Sequence, residues 1–179
     1  MGLGRGQEVT CTVVGTPGDD LLEGTAGNDV MCGLGGRDRI FGRGGADVIV
    51  GGDGSDRLSG GAGRDHLRGE VGRDRLRGGR GADELYGGRG RDRLFGGKGG
   101  DSLYGNFARD YLHGQSGDDR VVGGGGRNRL YGESGDDVLI AFLNRRGVDR
   151  VYGGDGRDTS EADRGDTLRS VERRVYPGH

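Results

Sequence analysis

The chain has no tryptophan, two cysteines, two prolines and 6% aromatic residues among its 179. Hydrophobic residues reach 30%, where a globular domain usually holds about 45–50% apolar residues. That shortfall excludes an ordinary single core. No apolar run is long enough to span a membrane, which takes about 20 residues. Neither charge sign dominates: 29 acidic against 27 basic residues give a net charge of −2, which argues against bulk nucleic-acid binding. Two cysteines, Cys11 and Cys32, are too few for a disulfide framework. No HExxH zinc-protease motif and no GxSxG nucleophile elbow occurs, so no enzyme is expected. Residues Met1 to Thr10 carry no recognisable secretory signal. Export therefore uses another route, or the given start is internal to a longer precursor.

What the chain has instead is glycine, 46 of them, and a period. Periodicity is read before anything else, because it decides the architecture. From Gly15 to Ile140 the chain runs in nines: GTPGDDLLE, GTAGNDVMC, GLGGRDRIF and so on to GESGDDVLI. Three inserted residues, 141–143, precede two further units, NRRGVDRVY and GGDGRDTSE. Four of the nine columns are nearly fixed across the sixteen units. The first is glycine except at Asn144, and the fourth is glycine except at Ala108. The sixth is aspartate except at Asn128, and the eighth is aliphatic or Met31 except at Ser160.

Each column has a physical reason. Glycine reaches backbone angles closed to other residues, so the first and fourth positions are expected to turn the chain and aim its carbonyls. Aspartate offers the hard anionic oxygen that calcium prefers. The last three residues of each unit predict a short strand, its eighth residue pointing in and its neighbours out. One unit is thus a turn plus a strand, and two units close a coil of eighteen residues.

The repeat resembles the RTX, or haemolysin-type, calcium-binding nonapeptide GGxGxDxUx, with U a large aliphatic residue. The resemblance covers Gly15 to Glu161. It implies an all-β fold, a right-handed parallel β-roll of about eight coils with two short strands per coil. It also implies several Ca2+ ions between stacked turns, held by turn carbonyls and sixth-position side chains. Those side chains are Asp20, Asp29, Asp38, Asp47, Asp56, Asp65, Asp74, Asp83, Asp92, Asp101, Asp110, Asp119, Asp137, Asp149 and Asp158, with Asn128 keeping an oxygen but no charge. Poorer sites are expected near Asn128, Ala108 and the insertion. Because metal binding to a folded-only site is folding energy, the chain is expected to be unfolded without calcium and to form the roll with it. That suits a secreted protein reaching calcium-rich extracellular surroundings.

The chain departs from the family in its arginines. Seven occupy the fifth position, where Asn or Asp is common in the family, and seven the seventh. A fifth-position arginine beside each ligand is expected to compete with the metal for it. Alternate units fall on alternate sides of the roll, and their formal charges sum to +4 on one side and −7 on the other. The basic side carries Arg39, Arg57, Arg75, Arg93, Arg129 and Arg150 at outward positions, with Phe41, Phe95, Tyr131 and Tyr152 beside them. Three readings stand: a solvated face, a face for an acidic polysaccharide or cell-surface glycan, or a protein partner's contact. The histidines are His66, His113 and His179; His66 and His113 sit at outward positions on opposite sheets and read as surface residues.

The flanks read as caps, since open strands at a solenoid's end would pair with other chains. Residues 1–14 hold a candidate first strand in ValThrCysThrValVal. Residues 162–179 offer Leu168, Val171 and Val175 as covering residues, with a GlyAspThrLeu run that resembles the ends of actinobacterial repeat proteins. Cys11 and Cys32 lie about one coil apart, so either a disulfide clamps the first cap or both thiols are free. An alternative to a self-standing repeat protein is the C-terminal folding and secretion module of a larger secreted enzyme, and a third reading is an adhesin.

Overall fold

The computed structural model describes residues 10–141, 148–162 and 166–171, and the backbone of 173–175. The first nine residues, Phe142 to Gly147 (including Asn144), the side chain of Val175, and His179 lie outside the described residues.

Alternation of an inward residue between two outward ones makes each unit's last three residues a strand, and the chain stacks these strands in parallel. The described residues form two parallel sheets, of nine and eleven strands, with no helix. The nine-stranded sheet holds Leu21–Glu23, Arg39–Gly44, Arg57–Ala62, Arg75–Arg80, Arg93–Lys98, Tyr111–Ser116, Arg129–Ser134, Arg150–Asp155 and Thr167–Arg169. The opposite sheet runs from Val13–Val14 through Val30–Gly36, Val48–Gly54 and His66–Gly72 to Thr159–Glu161 and Arg173–Val175. Register is one coil: Arg57 faces Arg75 and Leu58 faces Leu76 across the nine-stranded sheet. The insertion stretches one coil, so Arg129 pairs with Arg150.

Strands are longer than the three residues expected. Most run six or seven residues, because pairing continues into the next unit's turn, as in Gly97 with Gly79 and Lys98 with Arg80. The ladder continues through the second and third positions of the turn, even though the second has a left-handed backbone.

The core is one column of eighth-position side chains per sheet. Ile40, Leu58, Leu76, Leu94, Leu112, Leu130 and Val151 face Met31, Ile49, Leu67, Leu85, Leu103, Val121 and Leu139, each 2% exposed or less. Ala141 and Ala162 are buried in line with them, while Val13, Leu22, Leu168 and Val171 close the ends. At the N-terminal end Val13 and Val14 pair with Met31 and Cys32. Cys11 and Cys32 are joined by a disulfide with a Cα–Cα distance of 6.0 Å, within the usual range for such a bond.

The fourth-position glycines turn the chain as expected, but the first-position ones do a different job. Left-handed backbone falls at the second and fourth positions, for example Gly97 (φ 131°) and Gly99 (φ 120°). Six non-glycine residues, among them Leu34, Glu70 and Glu133, adopt it at the second position. At the fourth, Ala108 does so with φ 85°. The first-position glycines are needed for room. A Cβ on Gly96 would lie 2.4 Å from Asp101 Oδ2 and 2.7 Å from the Gly114 carbonyl oxygen one coil on.

Candidate metal centre

The two turn edges of the roll carry two columns of sixth-position residues. On the edge leading into the nine-stranded sheet the column is Asp20, Asp38, Asp56, Asp74, Asp92, Asp110, Asn128 and Asp149. On the other it is Asp29, Asp47, Asp65, Asp83, Asp101, Asp119, Asp137 and Asp158. Within each column the backbone N–H of one aspartate donates to Oδ1 of the next, one coil later. Asp20 donates to Asp38 at 2.9 Å, Asp38 to Asp56 at 2.9 Å, and Asp83 to Asp101 at 2.8 Å. The carbonyl of the same residue accepts the seventh-position N–H of the next coil, as Asp38 does from Arg57 at 2.8 Å. Each turn is therefore fixed by its neighbour, and each carboxylate is held in one orientation.

That leaves the second carboxylate oxygen. From Asp38 to Asp119 along both columns, and again at Asp137, Oδ2 is sealed from solvent and accepts no hydrogen bond. These residues are no more than 2% exposed. Buried polar atoms in folded proteins nearly always have a partner, and an uncompensated buried carboxylate is costly. The oxygen sits under the first-position glycine and near a backbone carbonyl of the next coil, the space a Cβ would fill. Hard anionic and carbonyl oxygens repeating along a column are the donors that suit Ca2+. The residues present therefore fit the metal.

Burial, more than mutual repulsion, penalises these charges. It pushes the carboxyls of Asp65, Asp83, Asp92, Asp101 and Asp137 up to about 6, those of Asp74 and Asp119 to about 7, and that of Asp110 to about 8. Asp38, Asp47 and Asp56 are raised in the same direction. In each the backbone hydrogen bond pulls the other way, and neighbouring aspartates add a smaller upward push where they act at all.

Asp20, Asp29 and Asn128 differ. The Oδ2 atoms of Asp20 and Asp29 accept N–H and hydroxyl hydrogen bonds from Thr16 and Thr25, at 2.6 and 3.0 Å in both cases. The first coil therefore satisfies its own carboxylates. Asn128 keeps the column by accepting from Asp110 at 2.9 Å, but its amide nitrogen donates to the Gly124 carbonyl at 3.3 Å. A donor stands where the other units present a bare oxygen. Asp166, which the sequence reading left in the tail, accepts the Asp149 N–H at 2.8 Å and extends the first column by one step. The signal was there: Asp166 and Leu168 keep the spacing of the sixth and eighth positions.

The expected competition between arginine and ligand is not seen. No sixth-position carboxylate forms an ion pair with a fifth-position arginine among the described residues; the ion pairs there are Arg43–Glu23, His66–Glu84 and His113–Glu133. The aspartates point into the roll and the arginines out.

The RTX calcium-binding nonapeptide repeat pattern matches residues 12–40, 33–67, 41–76, 68–103, 104–139 and 145–168. The chain belongs to this family. The RTX repeats therefore account for both the parallel solenoid and the carboxylate columns, and they are calcium-binding repeats. No curated protein is similar enough to this chain to count as a match.

Of the basic face, Arg39, Arg57, Arg75 and Arg93 lie in direct register on consecutive strands of the nine-stranded sheet. Tyr111 interrupts them, and Arg129 and Arg150 continue, with Arg129 over the Tyr111 ring at 5.1 Å. Phe95, His113, Tyr131 and Tyr152 stack in sequence beside them, with ring centroids 5.2, 4.4 and 4.8 Å apart.

Proposed function

We propose that the chain is a non-enzymatic, extracellular calcium-binding repeat protein whose roll forms when calcium loads its carboxylate columns. The reading rests above all on the partnerless Oδ2 atoms that recur from Asp38 to Asp119 and at Asp137. Without metal, each carboxyl group has one oxygen buried and unsatisfied, and burial drives its proton affinity up. With metal, the same oxygens become ligands and the penalty becomes binding energy held by the folded state alone. The ligands are the sixth-position aspartates with turn carbonyls. Asn128 marks a weak step, and the threonine-bonded Asp20 and Asp29 act as an end coil with less need of metal. The Cys11–Cys32 disulfide suits an oxidising compartment.

The test is far-UV circular dichroism of the chain in chelator, titrated with calcium, with magnesium as the control. Magnesium demands tight octahedral geometry and gives up its waters reluctantly, so it should not substitute. A cooperative rise of β signal with calcium alone is expected. A full β spectrum in chelator, unchanged by calcium, would overturn the reading.

A further inference from the structure

A groove of about 990 Å³ runs along the edge where the chain enters the nine-stranded sheet. It is lined by the fifth-position arginines Arg37, Arg73, Arg91 and Arg109 and the seventh-position arginines Arg39, Arg57, Arg75 and Arg93. All eight are exposed, and none is in an ion pair among the described residues. The fifth-position arginines were read from the sequence as competitors for the metal; the fold instead turns them onto the same groove as the ladder. Like charges directly opposite each other in a sheet are destabilising. Here they recur at the strand spacing of about 4.8 Å without a counter-charge. The groove's carboxylates are the inward sixth-position groups, which calcium would neutralise, and Asp19 and Asp20 at one end.

We propose that this groove binds a linear acidic polysaccharide, laid along the stacking axis and presenting about one carboxylate or sulfate to each coil. Two rows of guanidinium groups favour bidentate contact with such groups, and one charge per sugar repeats at a spacing close to that of the coils. Duplex DNA fits less well, because its phosphates wind away from a straight groove. Single-stranded nucleic acid calls for open aromatic faces on which bases stack, and the rings of Phe95, His113, Tyr131 and Tyr152 spend theirs on one another. The inference rests on the calcium reading in one respect. The arginines flank the proposed ligands Asp38, Asp56, Asp74 and Asp92 in sequence, so both rows align only when the roll is formed. Calcium should therefore strengthen polysaccharide binding, and polysaccharide should strengthen calcium binding by the same factor.

The test measures binding of a labelled heparin oligosaccharide by fluorescence anisotropy in calcium, after circular dichroism has confirmed β structure. Arg73→Ser with Arg91→Ser removes two charges from the groove; serine already stands at a fifth position in Ser55. Arg80→Ser with Lys98→Ser removes two charges from the other flank of the same sheet, where Lys98 pairs with Ser116. The groove variant should lose at least tenfold in affinity with an unchanged calcium midpoint, and the flank variant less than twofold. Equal losses would mean undirected charge attraction and overturn the proposal, as would no binding by the folded wild type. Tighter binding of single-stranded DNA of equal charge would overturn the choice of polysaccharide. Undiminished binding by a chain already folded in chelator would leave the groove standing and defeat only the calcium coupling.

Discussion

Replacing Asp92 by Asn should stabilise the metal-free roll and destabilise the calcium-loaded one. Asp92 is fully buried, its Oδ1 accepts the Asp74 N–H through the ladder, and its Oδ2 has no partner. Asn128 demonstrates that the side chain fits the column: the oxygen keeps the ladder bond and the amide donates to the carbonyl four residues back, which for position 92 is that of Gly88. Burial moves the Asp92 carboxyl from 3.8 to about 6. At about 1.4 kcal/mol per tenfold, keeping it ionised at pH 7.5 costs the metal-free fold roughly 3 kcal/mol. Asn removes that cost. It also removes the charged ligand, and a site contributes RT ln(1 + [Ca]/Kd). The two effects balance on the order of a hundredfold above the site's dissociation constant, so the stability curves of variant and wild type should cross there. Below the crossing the variant is the more stable, and above it the wild type. The assay is the osmolyte concentration needed to fold each chain in chelator, joined to urea midpoints at increasing calcium. A variant less stable at every calcium concentration, zero included, would show that the buried charge carries no penalty. A variant more stable at every concentration would show that Asp92 holds no calcium.

Other outcomes follow from the same geometry. The aspartates' folded-state proton affinities lie above the unfolded value, so protonation favours the metal-free roll. That contribution is full below about pH 4 and is lost as pH rises through about 6 to about 8, the values of Asp65 and Asp110. Circular dichroism in metal-free buffer should therefore show more β structure at pH 5 than at pH 8, and a calcium midpoint that worsens in acid. Ala108→Gly should stabilise the loaded protein by about 1 kcal/mol, since φ 85° strains a residue with a Cβ; urea denaturation reads it, and a loss would refute the strain. Cys11→Ser with Cys32→Ser frees a loop of 21 residues' separation, about 3 kcal/mol by chain entropy. Hydrogen exchange should then quicken by about a hundredfold in Val13–Val14 and Val30–Cys32 and little beyond Leu58. Uniform quickening along the roll would contradict a local clamp.

Most of the fold was legible because the repeat makes each inference sixteen times over. The eighth-position column predicted the core side chain by side chain, and counting units in pairs predicted which residues face each other. What escaped was set by three-dimensional neighbours. Gly96 is glycine because Asp101 needs the room, a relation between two positions that a column of glycines cannot express. The second position was overlooked because Leu34, Arg43 and Glu70 hide its left-handed backbone behind unremarkable side chains. Sequence proximity makes Arg73 and Arg91 look like competitors for Asp74 and Asp92, yet inward and outward alternation puts them on the far side of the backbone from those carboxylates. Asp166 was missed because the preceding coil has lost its regular length.

The aspartate ladder also has a polarity. Each turn's N–H is satisfied by the carboxylate that follows it in sequence, so every coil depends on its successor for closure. Trimming coils from the N-terminal side frees carboxylate oxygens and also leaves seventh-position N–H groups, such as that of Arg57, without the carbonyl they bond. Trimming from the C-terminal side leaves one sixth-position N–H per column without its carboxylate, the place that Asp166 fills for Asp149. A coil docking at the N-terminal side therefore meets a carboxylate already in place, whereas one docking at the C-terminal side must bring its own.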